Sequence, residues 1–386
     1  MKELNKPRIV VFSLAYAPMV GGAEIALSEY IERLPQYEFT VITRASYRQA
    51  PCHEHIGCAR VYRVGHSVAW LGRFANYIYI PFAVRVAWRL HRRQPFDMVW
   101  SMMAAYGGGA AYLFMRLYPA VPVVLTLQEG DPLEHIERLV RWMKGFYRDF
   151  FARVAYVQTI STYLAYIARH FGAIAPITVV PNGVDVGLFS ARSENDPYQK
   201  LGISDDAIVV FSASRLEVKN GVDTLVEALA HETHLVVIIA GLGSMHDALV
   251  ARARTLGVFE RLFLLGVVPY RDLPAYYQAA DVFARPARSE GMGNAFIEAM
   301  AAGVPVVGTT VGGIADFAKA ERNMLVVPPE DPHALAVACA RINADSVLRS
   351  QLVAGGKETA TLYDWNDLAK RMSTIFDTVL AHGTDA

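Results

Sequence analysis

Short, almost wholly apolar runs alternate with helix-length segments along this chain, and the alternation restarts once. Residues 8–14 (RIVVFSL), 39–43, 96–101 and 121–127 are such runs. Between the first two, Ile25, Leu27, Tyr30, Ile31 and Leu34 recur at helical spacing. Strands that are apolar throughout, rather than on alternate residues, belong to parallel sheets with helices on both faces. The pattern breaks at a turn cluster, Pro181-Asn-Gly-Val-Asp185, and a polar stretch at 190–200, the best domain boundary in the chain. It resumes with apolar runs at 207–213, 235–240, 262–265, 281–284, 304–307 and 324–327. The expected fold is therefore α/β: two doubly wound, Rossmann-like domains facing a cleft, spanning 1–185 and 186–363, with a closing helical segment at 364–386.

Bulk properties narrow the function. A chain of 386 residues exceeds one ordinary core. A net charge of +0 argues against a nucleic-acid partner bound through bulk positive charge. Three cysteines do not make a disulfide framework and fit a reducing compartment. Cys52, His53, His55 and Cys58 lack zinc-site spacing, so 51–58 reads as a polar loop and no metal site is expected there. The polar start and the strand-like run at 9–17 do not read as a signal peptide, and arginines interrupt the most apolar windows, so a cytoplasmic protein is expected. Residues 68–93 mix Trp70, Phe74, Tyr77, Phe82 and Trp88 with five arginines. Two readings stand: a patch making peripheral contact with the inner membrane face, or two core helices, broken at Pro81, with solvated arginines.

The most informative stretch is 283–317 (FARPARSEGMGNAFIEAMAAGVPVVGTTVGGIADF). Glu290 follows an apolar strand, and Glu298, seven intervening residues later, lies within the next helix. Gly291, Met292, Gly293 and Asn294 lie between them at the helix entrance, where free amides can meet an anion. Open α/β sheets bind ligands at such strand ends. Two carboxylates beside such a loop suit a ligand rich in hydroxyls and phosphate. As a general acid/base pair they need not face one reacting bond, so binding hydroxyls is the preferred role. Arg215 and Lys219 follow another strand end, either as a solvated loop pair or, the preferred reading, as charge for a diphosphate. Gly21 and Gly22 open the first helix, as a tight turn or as amides facing phosphate. Gln128-Glu129-Gly130-Asp131 clusters polar groups at a strand's carboxyl end. No Asp-x-Asp pair is present for a metal-bound diphosphate.

Over nearly its whole length the chain resembles family 4 glycosyltransferases of the two-domain GT-B architecture. The resemblance is strongest in Gly266-Val-Val, Arg285-Pro286, Ser289-Glu-Gly-Met-Gly-Asn294, Glu298-Ala-Met-Ala-Ala-Gly303 and Gly312-Gly313. Weaker matches are Gly21-Gly-Ala-Glu24, Ser214-Arg-Leu216 and Gly241-Leu-Gly243. It implies retaining, hexosyltransferase-type transfer from a nucleoside diphosphate sugar to a lipid-linked or saccharide hydroxyl, without a metal or other cofactor. The donor would sit mainly on the C-terminal domain. Glu290 would contact the sugar, the 291–294 amides the sugar and phosphate, Glu298 the ribose, and Arg215 and Lys219 the diphosphate. Gly22 would approach that diphosphate from the N-terminal domain, and the last helix would cross back onto that domain. The leaving phosphate, rather than an enzyme nucleophile, would help deprotonate the acceptor. A family histidine is replaced by Gln128-Glu-Gly-Asp131, so contact with the sugar or acceptor falls to Glu129 or Asp131. The family's phosphate lysine comes one residue early, as Lys219 before Asn220. Competing readings are a nucleotide-sugar epimerase and a non-catalytic nucleotide-sugar-binding protein of the same fold.

Overall fold

The computed structural model describes residues 6–19, 21–45, 50–65 and 74–383. These group into two compact units: one from within Met1–Glu129, Leu133–Asn182 and Trp365–Ala386, the other from Gly130–Pro132 and Gly183–Asp364.

The first unit runs β1 (Arg8–Phe12), α1 (Gly22–Arg33), β2 (Glu38–Arg44), β3 (His53–Ile56), β4 (Ala59–Val64), α2 (Phe74–Arg93), β5 (Met98–Met102), α3 (Tyr106–Leu117), β6 (Val123–Leu127), α4 (Leu133–Val140), α5 (Lys144–Arg153), β7 (Tyr156–Thr159), α6 (Thr162–His170) and β8 (Ile177–Val179). Its sheet has the order β3-β4-β2-β1-β5-β6-β7-β8. All pairings are parallel except β3 with β4. Every residue of β1, β5 and β6 is buried, as two-sided helical cover requires.

Two local expectations are corrected here. The 51–58 stretch is not a plain loop: His53–Ile56 forms an antiparallel edge strand, with His53 opposite Tyr62 and Ile56 opposite Ala59. Its residues alternate between exposed and half-buried, which an edge strand over one covered face permits. Pro81 does not break the helix either, since α2 continues through it. Pro81 lies on the exposed side, where water can satisfy the carbonyl that loses its partner. Trp70 and Arg73 lie outside the described residues. Gly107–Gly109 lie inside α3. A Cβ at Gly107 would strike the carbonyl oxygens of Met102 and Phe12, so the helix needs glycine to lie this close to β1 and β5.

The second unit runs α7 (Val186–Ser190), β9 (Ile208–Ala213), α8 (Val222–Ala228), β10 (Leu235–Ala240), α9 (His246–Thr255), β11 (Leu262–Gly266), α10 (Leu273–Gln278), β12 (Val282–Arg285), α11 (Asn294–Ala302), β13 (Val306–Gly308), β14 (Leu325–Val326), α12 (Pro332–Ala344) and α13 (Ser346–Thr361). Its sheet order is β11-β10-β9-β12-β13-β14, all parallel. The polar stretch at 190–200 packs within this unit: the Ser193 amide donates to Gln278 Oε1 at 2.9 Å and the Tyr198 hydroxyl to the Tyr276 carbonyl at 2.5 Å. The division between units falls before it, after Asn182.

The chain then returns to the first unit through α14 (Trp365–Gly383). Leu368, Met372, Phe376 and Val379 form its buried stripe, at helical spacing. Trp365 meets Tyr30 edge-on at 5.3 Å, and Phe376 meets Trp100 at 5.1 Å. Each such buried side chain is worth about 1.5–3 kcal/mol, enough for the stripe to hold the helix against the α1 side of the sheet.

Candidate functional site

In the second sheet, the chain moves outward from β9 to β10 and β11, then returns to place β12 on the other side of β9. At such a change of direction, open α/β sheets bind their ligands beside the loops that follow the two strands. Arg215 and Lys219 lie on the first loop and Glu290 on the second. The loops are tied together. The Arg288 and Ser289 amides donate to the Lys219 carbonyl at 2.8 and 3.2 Å. Asn220 Nδ2 donates to the Arg215 carbonyl at 2.7 Å, and Arg285 Nη2 donates to Asn220 Oδ1 at 2.8 Å.

Arg285 also lies 2.6 Å from Glu290 Oε2, both side chains being well buried. This is a charge contact without hydrogen-bond alignment. Glu290 Oε2 and Arg285 Nε are consequently buried polar atoms with unfilled hydrogen-bonding capacity. Native interiors rarely leave such atoms idle, and a hydroxyl-bearing ligand would fill them. The other Glu290 oxygen accepts from the Gly291 amide at 3.0 Å. Gly293, at φ 98°, adopts a left-handed conformation that turns the loop into α11, and Asn294 begins that helix. Met292 is only 2% exposed, buried beneath the loop.

Glu298 lies within α11, a helix whose residues 295–301 are all buried. Tyr277 of α10 donates its hydroxyl to Glu298 Oε2 at 2.8 Å. Burial pushes the Glu298 carboxyl up to about 7, against smaller opposing effects of the Tyr277 hydrogen bond and the Arg285 charge. Burial likewise pushes the Tyr277 phenol well above its ordinary value, so it remains a donor. Glu298 is thus poised to change charge near neutrality, with Arg285 in electrostatic reach of both carboxylates.

Lys219 Nζ lies 2.8 Å from Asp131 Oδ1, and Ser289 Oγ donates to the Gly130 carbonyl at 3.0 Å. Two residues selected from sequence are thereby brought together. Partial exposure of both makes the pair weak, worth about 0–1 kcal/mol, so a phosphate can take its place. Arg215 is exposed and its guanidinium has no ion-pair partner among the described residues. Glu129 and Gly22 belong to the first unit. Glu129 accepts from the Ala104 amide at 3.1 Å and the Gln128 amide at 3.0 Å. Gly22 is exposed at the start of α1.

The sequence reading did not select Arg285, Asn220 or Tyr277 as site residues. Arg285 had a readable signal: a cation closing an otherwise apolar strand run. Tyr277 had none, because it meets Glu298 only across two packed helices.

Comparison with known proteins fits this geometry. The profile of the family "Glycosyltransferase Family 4" matches residues 20–188, and that of "Glycosyl transferases group 1" matches residues 194–359. The D-inositol 3-phosphate glycosyltransferase of Xylanimonas cellulosilytica is 32% identical over 222 residues, covering 54% of this chain and 53% of that protein. A GDP-mannose-dependent alpha-(1-6)-phosphatidylinositol monomannoside mannosyltransferase of Mycobacterium tuberculosis is 33% identical over 222 residues, covering 53% of this chain and 57% of that protein. The chain spans about half the length of the curated relatives it matches. Among solved structures, sucrose-phosphate synthase from Thermosynechococcus elongatus superposes with a TM-score of 0.85 at 22% identity, covering 97% of this chain and 100% of that one. Anabaena HepE, solved with UDP and glucose, gives 0.79 at 21% identity over 96% and 100%. At these identities the two structures speak for the fold.

Proposed function

Because this chain belongs to the family 4 glycosyltransferases with the GT-B fold, we propose that it transfers a sugar from a nucleoside diphosphate sugar to a hydroxyl of a lipid-linked or saccharide acceptor, with retention of configuration and without a metal. The supporting observation is the grouping, on the loops after β9 and β12, of a hydroxyl-accepting carboxylate and two cations. Glu290, steadied by Arg285, takes the sugar hydroxyls. Glu298 takes the ribose hydroxyls, with Tyr277 occupying one of its oxygens. Arg215 and Lys219 take the diphosphate, which displaces Asp131 from Lys219. Those cations, with the free amides at the start of α11, neutralise charge growing on the leaving diphosphate. The departing phosphate oxygen receives the acceptor's proton on the same face as attack, so no enzyme nucleophile is required. The first unit, carrying Glu129, supplies the acceptor's contacts on the cytoplasmic side of the membrane.

The test is incubation with a panel of nucleotide sugars, with and without a chelator, following nucleotide release and the anomeric configuration of the product. Release from one donor, unaffected by chelator and giving the donor's own anomer, is expected. Sugar interconversion without nucleotide release would favour an epimerase, and binding without turnover a non-catalytic protein. An inverted product, or loss of activity on chelation, would overturn the corresponding part of the reading.

A further inference from the structure

The turn that presents Lys219 is gripped by a side chain to which sugar transfer has so far given no part. Arg288 lies on the loop after β12, two residues before Glu290. Its guanidinium reaches back to the loop after β9. Nη1 donates to the Val218 carbonyl at 2.7 Å and to Asp223 Oδ1 at 2.7 Å, and Nη2 donates to Asp223 Oδ2 at 2.9 Å. The Arg288 backbone amide donates to the Lys219 carbonyl at 2.8 Å. One residue therefore holds the chain just before Lys219, at Lys219 itself, and after it at Asp223 in the first turn of α8. The remaining nitrogen, Nε, donates to Glu330 Oε1 at 2.6 Å, in the turn after β14.

These bonds differ in weight. Glu330 is 67% exposed, so its pair with Arg288 is weak. The Asp223 pair is bidentate and mostly withdrawn from water, a geometry that adds direction as well as energy. Burial alone would raise the Asp223 carboxyl, but the Arg288 hydrogen bonds and charge outweigh it and hold the group below its ordinary value. Apolar packing does not replace this grip. Leu216 and Val222 are fully buried at either end of the segment, yet Val218 between them is 58% exposed. The backbone at Val218 and Lys219 is therefore set by hydrogen bonds. A tie that served stability alone would need no more than Asp223. The further bonds to the Val218 and Lys219 carbonyls, from a residue two positions before Glu290, fix the separation between a cation and a carboxylate assigned to one ligand. Groups that hold two parts of one ligand act together only at a set separation, and a misplacement of about 1 Å can cost about a hundredfold.

We infer that Arg288 is a positioning residue for the donor: it holds Lys219 in register with Glu290 and does not itself touch the ligand. The inference rests on the reading that Lys219 takes the diphosphate, and its test separates the two. The full chain, K219A, R288Q and K219A/R288Q are titrated by calorimetry with UDP, GDP, ADP, CDP and dTDP. For the nucleotide that binds, K219A should weaken affinity on the order of tenfold, the loss of one charge-assisted contact to phosphate. R288Q should weaken it by a comparable factor from outside the ligand's reach. The double variant should bind within about twofold of K219A alone, because Arg288 acts through Lys219. R288K should recover the thermal midpoint lost in R288Q, since its charge still faces Asp223. It should not recover the affinity, since one ammonium cannot hold a bidentate carboxylate and a carbonyl in the same fork. If R288Q fails to fold, D223N enters the same cycle with K219A, with the same expectation. The inference is overturned if the variant binds as the wild type does, if its loss multiplies with that of K219A, or if R288K restores affinity in step with stability. A wild type that binds none of the five nucleotides, or a K219A that binds as tightly as the wild type, overturns the diphosphate reading itself and the inference with it.

Discussion

Replacing Glu298 by Gln tests the buried carboxyl most directly. In the folded protein the group titrates near about 7, against an ordinary value of 4.5, because burial penalises its charged form. The fold therefore favours the protonated carboxyl. Between about pH 4.5 and pH 7 the native state holds a proton that the unfolded chain has lost, so stability falls as pH rises. The contribution is fully present below about pH 4.5 and is lost as pH climbs through about 7. The rise from 4.5 to about 7 corresponds to about 3 kcal/mol in all, of which about 2.5 kcal/mol disappears between about pH 5 and about pH 8. Glu298→Gln keeps the shape and the Tyr277 partner but cannot titrate. Urea unfolding of both proteins across that range should show the wild type losing about 2.5 kcal/mol relative to the variant. Under the proposed role, in which ribose hydroxyls donate to the ionised carboxylate, nucleotide affinity of the wild type should rise through about pH 7 while that of the variant stays flat. Parallel stability curves would refute the assignment of the raised carboxyl to Glu298. A flat wild-type affinity profile would refute its role toward the ribose.

Arg285→Ala should destabilise the second unit by about 3 kcal/mol, because it leaves Glu290 and Asn220 without their cation in a well-buried setting; a thermal melt reads this, and Arg285→Lys should recover part of it. Glu298→Ala should weaken nucleotide binding more than Glu290→Ala, whereas Glu290→Ala should lower turnover more; equal nucleotide affinities by calorimetry would contradict the division of roles. Lys219→Ala should raise the donor KM while changing stability by less than about 1 kcal/mol, given the exposure of its pair with Asp131. Phe376→Ala, at a fully buried position, should cost about 3–5 kcal/mol of the first unit's stability, seen in its urea midpoint.

Much of the fold was legible because parallel strands covered on both faces are apolar throughout, and β1, β5, β6, β9 and β10 announce themselves. Errors arose where a local rule met a tertiary exception. The proline rule ended α2 too early because the rule cannot know that Pro81 points outward. Nothing local reveals how closely α3 approaches β1 and β5 at Gly107. The His53–Ile56 strand was missed because one edge pairing with β4 leaves little pattern in four residues.

At the site, the linear order of residues was enough to place Glu290 after a strand, Glu298 within the following helix, and Arg215 and Lys219 at another strand's end. Those positions depend on short-range periodicity and turn chemistry, which neighbouring residues largely decide. Strand order decided that the two ends are adjacent, since β9 and β12 lie 72 residues apart at Val210 and Val282 and pair only in the folded sheet. Packing decided the rest. It buried Glu298 against Tyr277 and set Arg285 between Glu290 and Asn220. Burial and the distance between charges are properties of the three-dimensional arrangement, and together they set how these side chains titrate and what they can hold.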